Sequence, residues 1–441
     1  MARVMKDSGF DWIGTVPQDW SVWKLKYLLD RPMQYGANET GVVYSEELPR
    51  YVRITDITPD NKLKDYGMQS LPKEVASEFI LDEGDILFAR SGATVGKTFI
   101  YKKDYGLCAF AGYLIRAITN EKILPKYIYY FTLSSAYESW KNRVFIQSTI
   151  QNIGADKYSN MQIAVPSSID EQRKIVVFLE NKLSEIDAII SKTRESIEEY
   201  KKYKQAVITE VAVGGLDKSV ATRNSGIDWI GNIPEHWKIK PFKFVMTERN
   251  EKNIPVKTDE RLALSIDKGI TTYAEKTTNL DRFKDDGTQY KLAYEGDLVF
   301  NSMNMIVGAI GYSNYFGCVS PVYYTYYDNV EGHYTSKYYE YIFRSKTMRK
   351  VLFSLGKGIM AIDRGDDKIN TCRLKVSRDD LRCLKVPVPT EQEQQEIVKY
   401  LDAKCAEIDV LIAKKEAFVE EMEAYKKSLI YEYVTGKKEV L

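Results

Sequence analysis

Two long stretches of the chain carry apolar residues in alternating steps of four and three. In the first they are Leu179, Leu183, Ile186, Ile190, Ile197, Tyr200, Val207 and Val211, with Thr193 and Lys204 filling the register. In the second they are Leu401, Cys405, Ile408, Ile412, Val419, Met422, Leu429 and Tyr433, with Lys415 and Lys426 filling it. This spacing lines up one narrow apolar stripe on a helix and leaves charge on the other faces. It predicts two long helices that pack through those stripes as a coiled coil rather than as core helices buried all round. Each is expected to begin near Asp170 or Thr390, which can cap free backbone N–H groups, and to end near Gly214 or Gly436. About 45 residues at 1.5 Å each give a rod of roughly 65 Å.

The stripes belong to a tandem duplication. Residues 8–20, SGFDWIGTVPQDW, return at 225–237 as SGIDWIGNIPEHW. Glu83 to Phe88 (EGDILF) returns as Glu295 to Phe300 (EGDLVF), and each copy is followed by Val-Gly, at Val95-Gly96 and Val307-Gly308. Glu171-Gln172 through Asp187 matches Glu393-Gln394 through Asp409 at a constant offset of 222. Three signatures in one order, twice, mark two copies of one large unit rather than a short-period solenoid. Between the signatures the halves hardly resemble each other, as Val95–Asn160 and Val307–Asp380 show. A frame repeated with unlike contents suits one task performed on two different targets.

The fold class expected is α+β. Two mixed α/β globular domains, 1–168 and 218–389, alternate with the helices at 169–217 and 390–441. Tyr51–Ile57, Asp85–Ala89, Cys108–Ala117 and Cys318–Tyr327 read as extended, rich in aromatic and β-branched residues. Pro125–Ser139 and Ser336–Leu355 read as short helices, and Ser91–Lys97 as a glycine-bearing loop.

Composition narrows the function. The 441 residues are 44% hydrophobic and 28% charged, which suits a globular protein of several domains. No apolar run is long enough for a membrane span or a signal peptide, so a cytoplasmic location is expected. The five cysteines include no close pair and lie away from His236 and His333, so reduced thiols and no metal site are expected. Net charge is +1, so any contact with nucleic acid needs a local basic surface or a partner that supplies one.

The patterns that tempt toward catalysis fail in detail. Gly92 to Thr98 is similar to a phosphate-binding loop but has three residues between its glycines where four are needed. An adenine methyltransferase would need a glycine-rich loop and an Asn/Asp-Pro-Pro-aromatic motif, and neither is present. A metal-dependent nuclease motif and a hydrolase triad are also missing. A binding role is expected, with no catalytic residue.

Along nearly its whole length the chain resembles the specificity subunit of Type I restriction-modification systems. The resemblance rests on SGxDWIGxxPxxW in both halves, EGDILFARSGATVGK, FIQSTIQNIGADKYSNMQIAVP, and the Glu-Gln…Leu…Ile-Asp helix signature. It implies two target-recognition domains, each reading half of a split duplex-DNA sequence. It implies that the helices run antiparallel with approximate two-fold symmetry and set the gap between half-sites. It also implies docking to two modification (methyltransferase) subunits, which bring AdoMet, and to a motor-nuclease restriction subunit, which brings ATP and Mg²⁺. No cofactor belongs to this chain.

For the DNA contacts, polar loop residues are the candidates: Arg90, Ser91, Thr94 and Lys97, then Arg143, Gln147, Ser148, Thr149 and Gln151. Their counterparts in the second half are Asn301, Ser302, Asn304, Lys357, Met360, Asp363, Arg364 and Lys368. These residue types can meet base edges or phosphates. The alternatives from other classes are a coiled-coil adaptor with no DNA role, which the low net charge favours, and a fused nuclease or methyltransferase.

Overall fold

The computed structural model describes residues 3–58, 60–92, 94–146, 152–276, 287–328, 334–359 and 373–440. Both periodic stretches are continuous helices, Ile169–Gly214 and Glu391–Val434. Of the sixteen apolar residues of the two stripes, Leu179, Leu183, Ile186, Ile190, Ile197, Val207, Val211, Leu401, Cys405, Ile408, Ile412, Val419, Leu429 and Tyr433 are buried, and Tyr200 and Met422 are half-buried.

The chain divides into two compact units, 1–194 with 416–441, and 195–415. Each unit therefore holds one globular domain, part of the helix that follows it and part of the other helix. The boundary between these units falls inside the two helices.

Within the first unit the two helix segments run antiparallel. Phe178 packs on Tyr433 with ring centroids 4.4 Å apart, Lys426 Nζ meets Asp187 at 2.5 Å, and Arg194 meets Glu423 at 3.1 Å. Within the second unit they do the same, with Lys204 on Asp409 at 2.6 Å and Lys415 over the Tyr200 ring at 5.6 Å. Lys204 and Lys426 occupy equivalent places in the repeat, as do Asp187 and Asp409. Two of the polar interruptions of the stripe, Lys204 and Lys426, are thus matched to the aspartates of the Ile-Asp signature.

The other signatures fasten helices to domains. Trp20 donates its indole N–H to Glu171 at 3.2 Å, and Trp237 donates to Glu393 at 2.9 Å. Burial pulls the Glu393 carboxyl upward, yet bonds from Trp237, Thr390 and His236 outweigh it and hold the group below its usual range. Gln172, almost wholly buried, ties down Leu124 N–H and the Lys122 carbonyl. At the far helix ends, buried tyrosines donate to terminal carbonyls: Tyr127 to Val434 at 2.9 Å and Tyr338 to Ala212 at 2.6 Å. These are the carbonyls that a helix end leaves without a partner.

The first helix begins and ends where expected, at Ile169 and Gly214, but neighbouring residues cap it. The first helix is capped by Ser168, whose hydroxyl accepts from Glu171 N–H, while Asp170 pairs with Arg173 at 2.7 Å. The left-handed residue that ends it is Gly215 (φ +73°), one place beyond Gly214. Thr390 and Gly436 act as expected. Thr390 exchanges bonds with Glu393, and Gly436 (φ +71°) lies against Pro17 and Trp20, where a Cβ would clash.

Each globular part is built on a four-stranded sheet of the same strand order. In the first unit it runs Gln34–Tyr35, Leu114–Ala117, Ile86–Ala89, Thr98–Ile100. In the second it runs Thr247–Arg249, Tyr323–Tyr327, Leu298–Asn301, Ile310–Tyr312. The EGD aspartate closes a turn in each: Asp85 accepts from Asp82 N–H and Asp297 from Tyr294 N–H. An arginine neutralises each aspartate, but from different strands. Arg116 reaches Asp85 at 3.4 Å from the strand beside it, and Arg249 reaches Asp297 at 2.7 Å from the edge strand. Burial raises the Asp85 pKa and lowers that of Arg116, so this pair is expensive to break.

Two outcomes follow for equilibrium denaturation. Leu179→Ala, at a fully buried seam position, should cost about 2–5 kcal/mol. Arg116→Met should cost about 3–5 kcal/mol by leaving Asp85 uncompensated. Arg116→Met combined with Asp85→Asn should recover much of that loss, and no recovery would show that the pair does not act as a unit.

Candidate nucleic-acid interface

The residues after the central strand of each sheet, Ile86–Ala89 and Leu298–Asn301, sit at one sheet end. In the first unit the chain turns through 90–97 and returns as Thr98–Ile100, antiparallel to the strand it left. Ala89 N–H donates to the Lys97 carbonyl and Gly96 N–H to the Ala89 carbonyl. Gly96 (φ +82°) and its counterpart Gly308 (φ +99°) adopt a left-handed turn that side chains disfavour. This is a hairpin, not the strand-to-helix turn of a phosphate-binding loop, and it accounts for the recurring Val-Gly.

Three of the four loop candidates in the first unit lie on the rim of this hairpin. Arg90 is half-buried, with its guanidinium carbon 5.2 Å from the Tyr35 ring centroid. Ser91 bridges to Asn152, and Thr94 caps the turn by accepting Lys97 N–H. Lys97 turns inward instead. Its ammonium contacts the Ile57 and Thr58 carbonyls, and burial lowers its pKa. Arg143 stands apart, on the helix Ser135–Ile146, paired with Asp11 at 3.2 Å and lying over Trp12 at 5.5 Å. Gln147, Ser148, Thr149 and Gln151 lie outside the described residues.

The second unit uses the same place differently. Asn301 is buried, bonded to Tyr323 Oη and Met303 N–H, and Ser302 is wholly buried. Burial removes the Ser302 side chain from any surface that a duplex could reach. Asn304 is exposed and caps a short turn at Met305–Val307. Lys357 is exposed and pairs with Asp380 at 3.1 Å, on the strand Lys357–Ile359, which pairs antiparallel with Arg373–Lys375. Met360, Asp363, Arg364 and Lys368 lie outside the described residues.

One backbone bond marks the equivalence of the two rims. Ile153 N–H donates to the Arg90 carbonyl at 2.9 Å, and Val376 N–H to the Ser302 carbonyl at 3.1 Å. Sequence reasoning missed Tyr35, Tyr113 and Tyr323, which line these rims. They follow no periodic pattern, and only strand pairing brings them there.

The second unit also carries a cleft of about 720 Å³ lined by Lys201, Lys202, Lys346 and Lys350, with Gln205, Thr209, Thr347 and Glu210. Glu210 is engaged by Lys218 at 2.9 Å, and Lys201 by Glu198 at 2.9 Å. The equivalent depression in the first unit is lined by Asp11, Trp12, Ser135, Ser139, Arg143 and Tyr431, without a lysine. A net charge of +1 thus conceals a local basic surface. Among the described residues no His, Cys, Asp and Glu side chains cluster as a metal site, and no helix is long and apolar enough to cross a membrane.

Phosphate contact at this cleft has a direct signature. Replacing Lys202, Lys346 and Lys350 by Gln in the assembled protein should flatten the salt dependence of DNA binding by about one unit of slope per lost contact. Gel-shift titrations over a salt series measure this, and an unchanged slope would exclude the cleft.

Comparison with known proteins agrees with this geometry. Residues 51–199 match the family profile of the Type I restriction modification DNA specificity domain. A Methanocaldococcus jannaschii protein assigned as the MjaX specificity subunit of a type I restriction enzyme is 24% identical, over 96% of this chain and 95% of its own. A solved chain, from work on complex assembly and conformational transition of the type I R-M system, superposes with a TM-score of 0.68 at 14% identity, covering 96% of this chain and 99% of its own. The HsdS subunit from Thermoanaerobacter tengcongensis gives a TM-score of 0.50 at 16% identity, over 96% and 98%. The chain is thus similar over residues 51–199 to the Type I DNA specificity domain, and along nearly its whole length to a specificity subunit.

Proposed function

We propose that this chain is the DNA-reading specificity subunit of a Type I restriction-modification complex and does no chemistry itself. The observation that carries the reading is the shared frame with unlike rims. Both units have the same sheet order and the same fastening bonds, yet Arg90 stands at one rim where buried Ser302 stands at the other. Two half-sites of different sequence need such a pair of readers. The specificity-domain profile and the specificity subunits among its relatives support the same reading.

In this reading each unit contacts one half of a split target, and the continuous helices set the gap between the halves. Rim side chains meet base edges, and lysines and loop N–H groups meet phosphates. Two modification subunits dock on the chain and supply AdoMet for adenine methylation. A restriction subunit supplies ATP-driven movement and Mg²⁺-dependent cleavage. The complex works in the cytoplasm.

The test is co-expression of the full chain with its modification subunit, followed by mapping of N6-methyladenine in host DNA. A single split motif with an unread gap of fixed length is expected. An uninterrupted motif, or methylation that is the same without this chain, would overturn the proposal.

A further inference from the structure

We infer that Arg90 reads a guanine in the half-site of the first unit, an inference that rests on the DNA-reading role proposed above. The first point is how the residue is held. Its N–H donates to the Tyr113 carbonyl at 2.9 Å, and its own carbonyl accepts from Ile153 N–H at 2.9 Å. The backbone is thus pinned from both sides, at the end of a buried strand. The side chain rests on Tyr35, which is itself fixed because its hydroxyl accepts Ala155 N–H at 3.0 Å.

The second point is what the guanidinium does not do. Arg53, Arg116 and Arg143 in the same unit spend their donors on Asp56, Asp85 and Asp11. Among the described residues no carboxylate or carbonyl takes a hydrogen bond from the Arg90 guanidinium. Stacking on a ring engages the face of the guanidinium and leaves its in-plane N–H groups available. A rigid, unspent fork at a protein rim matches the paired O6 and N7 acceptors of guanine in the major groove. A phosphate can also accept such a fork, but lysine binds phosphate as a point charge, so a lysine at this position tells the two acceptors apart. The neighbouring Tyr113 is 61% exposed and shares the rim, so the surface is open to a duplex. At the equivalent place the second unit has buried Ser302, so this guanine contact belongs to one half-site only.

The test uses the chain assembled with its modification subunit and the split target found by methylation mapping. In the wild type, replacing the relevant guanine by 7-deazaguanine, which lacks N7, should weaken binding about tenfold to a hundredfold. Arg90→Ala should weaken binding to the unmodified target by a similar factor and show no further loss on the 7-deaza target. Arg90→Lys, which keeps the charge, should behave like Arg90→Ala and relax the methylated motif at that one position. Melting curves of both variants separate misfolding from lost contact.

Three results would overturn the inference while leaving the specificity-subunit reading intact. They are a target without guanine in either half, variants that keep wild-type preference, and an Arg90→Ala loss equal on all sequences and restored by Arg90→Lys. The last pattern is that of a phosphate contact. A wild-type complex that prefers no split target would instead remove the reading on which the inference rests.

Discussion

A helix of 46 residues with a narrow apolar stripe draws most of its stability from packing that stripe against another surface. Here the cover for each long helix is the other, taken piecewise. The start of the first helix packs in the same compact unit as the end of the second, and the end of the first in the same unit as the start of the second. The first unit is therefore assembled from two separate stretches of chain, 1–194 and 416–441, while the second is the continuous stretch between them. The signature residues serve this constraint. Tryptophan-to-glutamate bonds fix where a helix leaves its domain, and tyrosine-to-carbonyl bonds fix where the returning helix stops.

The apolar stripe supplies adhesion but tolerates slippage, because one leucine resembles the next. Register comes from its polar interruptions. Lysine in the seam is costly unless matched: Lys204 and Lys426 each meet an aspartate of the other helix, and Lys415 lies over the Tyr200 ring. The exposure of these pairs limits what each contributes to stability, so their main effect is on alignment.

The helices were legible in the sequence because periodicity is a local property that three or four turns already express. The duplication was legible because residues such as Trp20 and Trp237 do similar work in both copies. The rims were less so. Cys108–Ala117, read as one extended stretch, is two strands parted by a turn at Gly112, whose close approach to the Ala37 carbonyl no local pattern announces. Ser302 looked like a polar loop residue and proved buried, with Val376, just past the strand Arg373–Lys375, bonded to its carbonyl. Lys97 carried the charge of a phosphate contact, yet the fold turns it onto carbonyls. Tyr35 reaches the rim through pairing with a strand some eighty residues away, which only the folded sheet reveals.

The strand exchange of the arginine that faces the EGD aspartate bears on how the two halves can trade parts. Strand pairing aligns Gln34 with Arg249 and Arg116 with Thr325. Each half solves the same electrostatic problem with a different member of a neighbouring couple. Transplanting only the edge strand of the first half into the second would leave Asp297 facing glutamine and threonine, and the reverse graft would crowd two guanidinium groups around Asp85. Recombination between the copies is thus compatible with a sound sheet only when both strands travel together, which makes the couple, rather than the single residue, the smallest heritable piece of this frame.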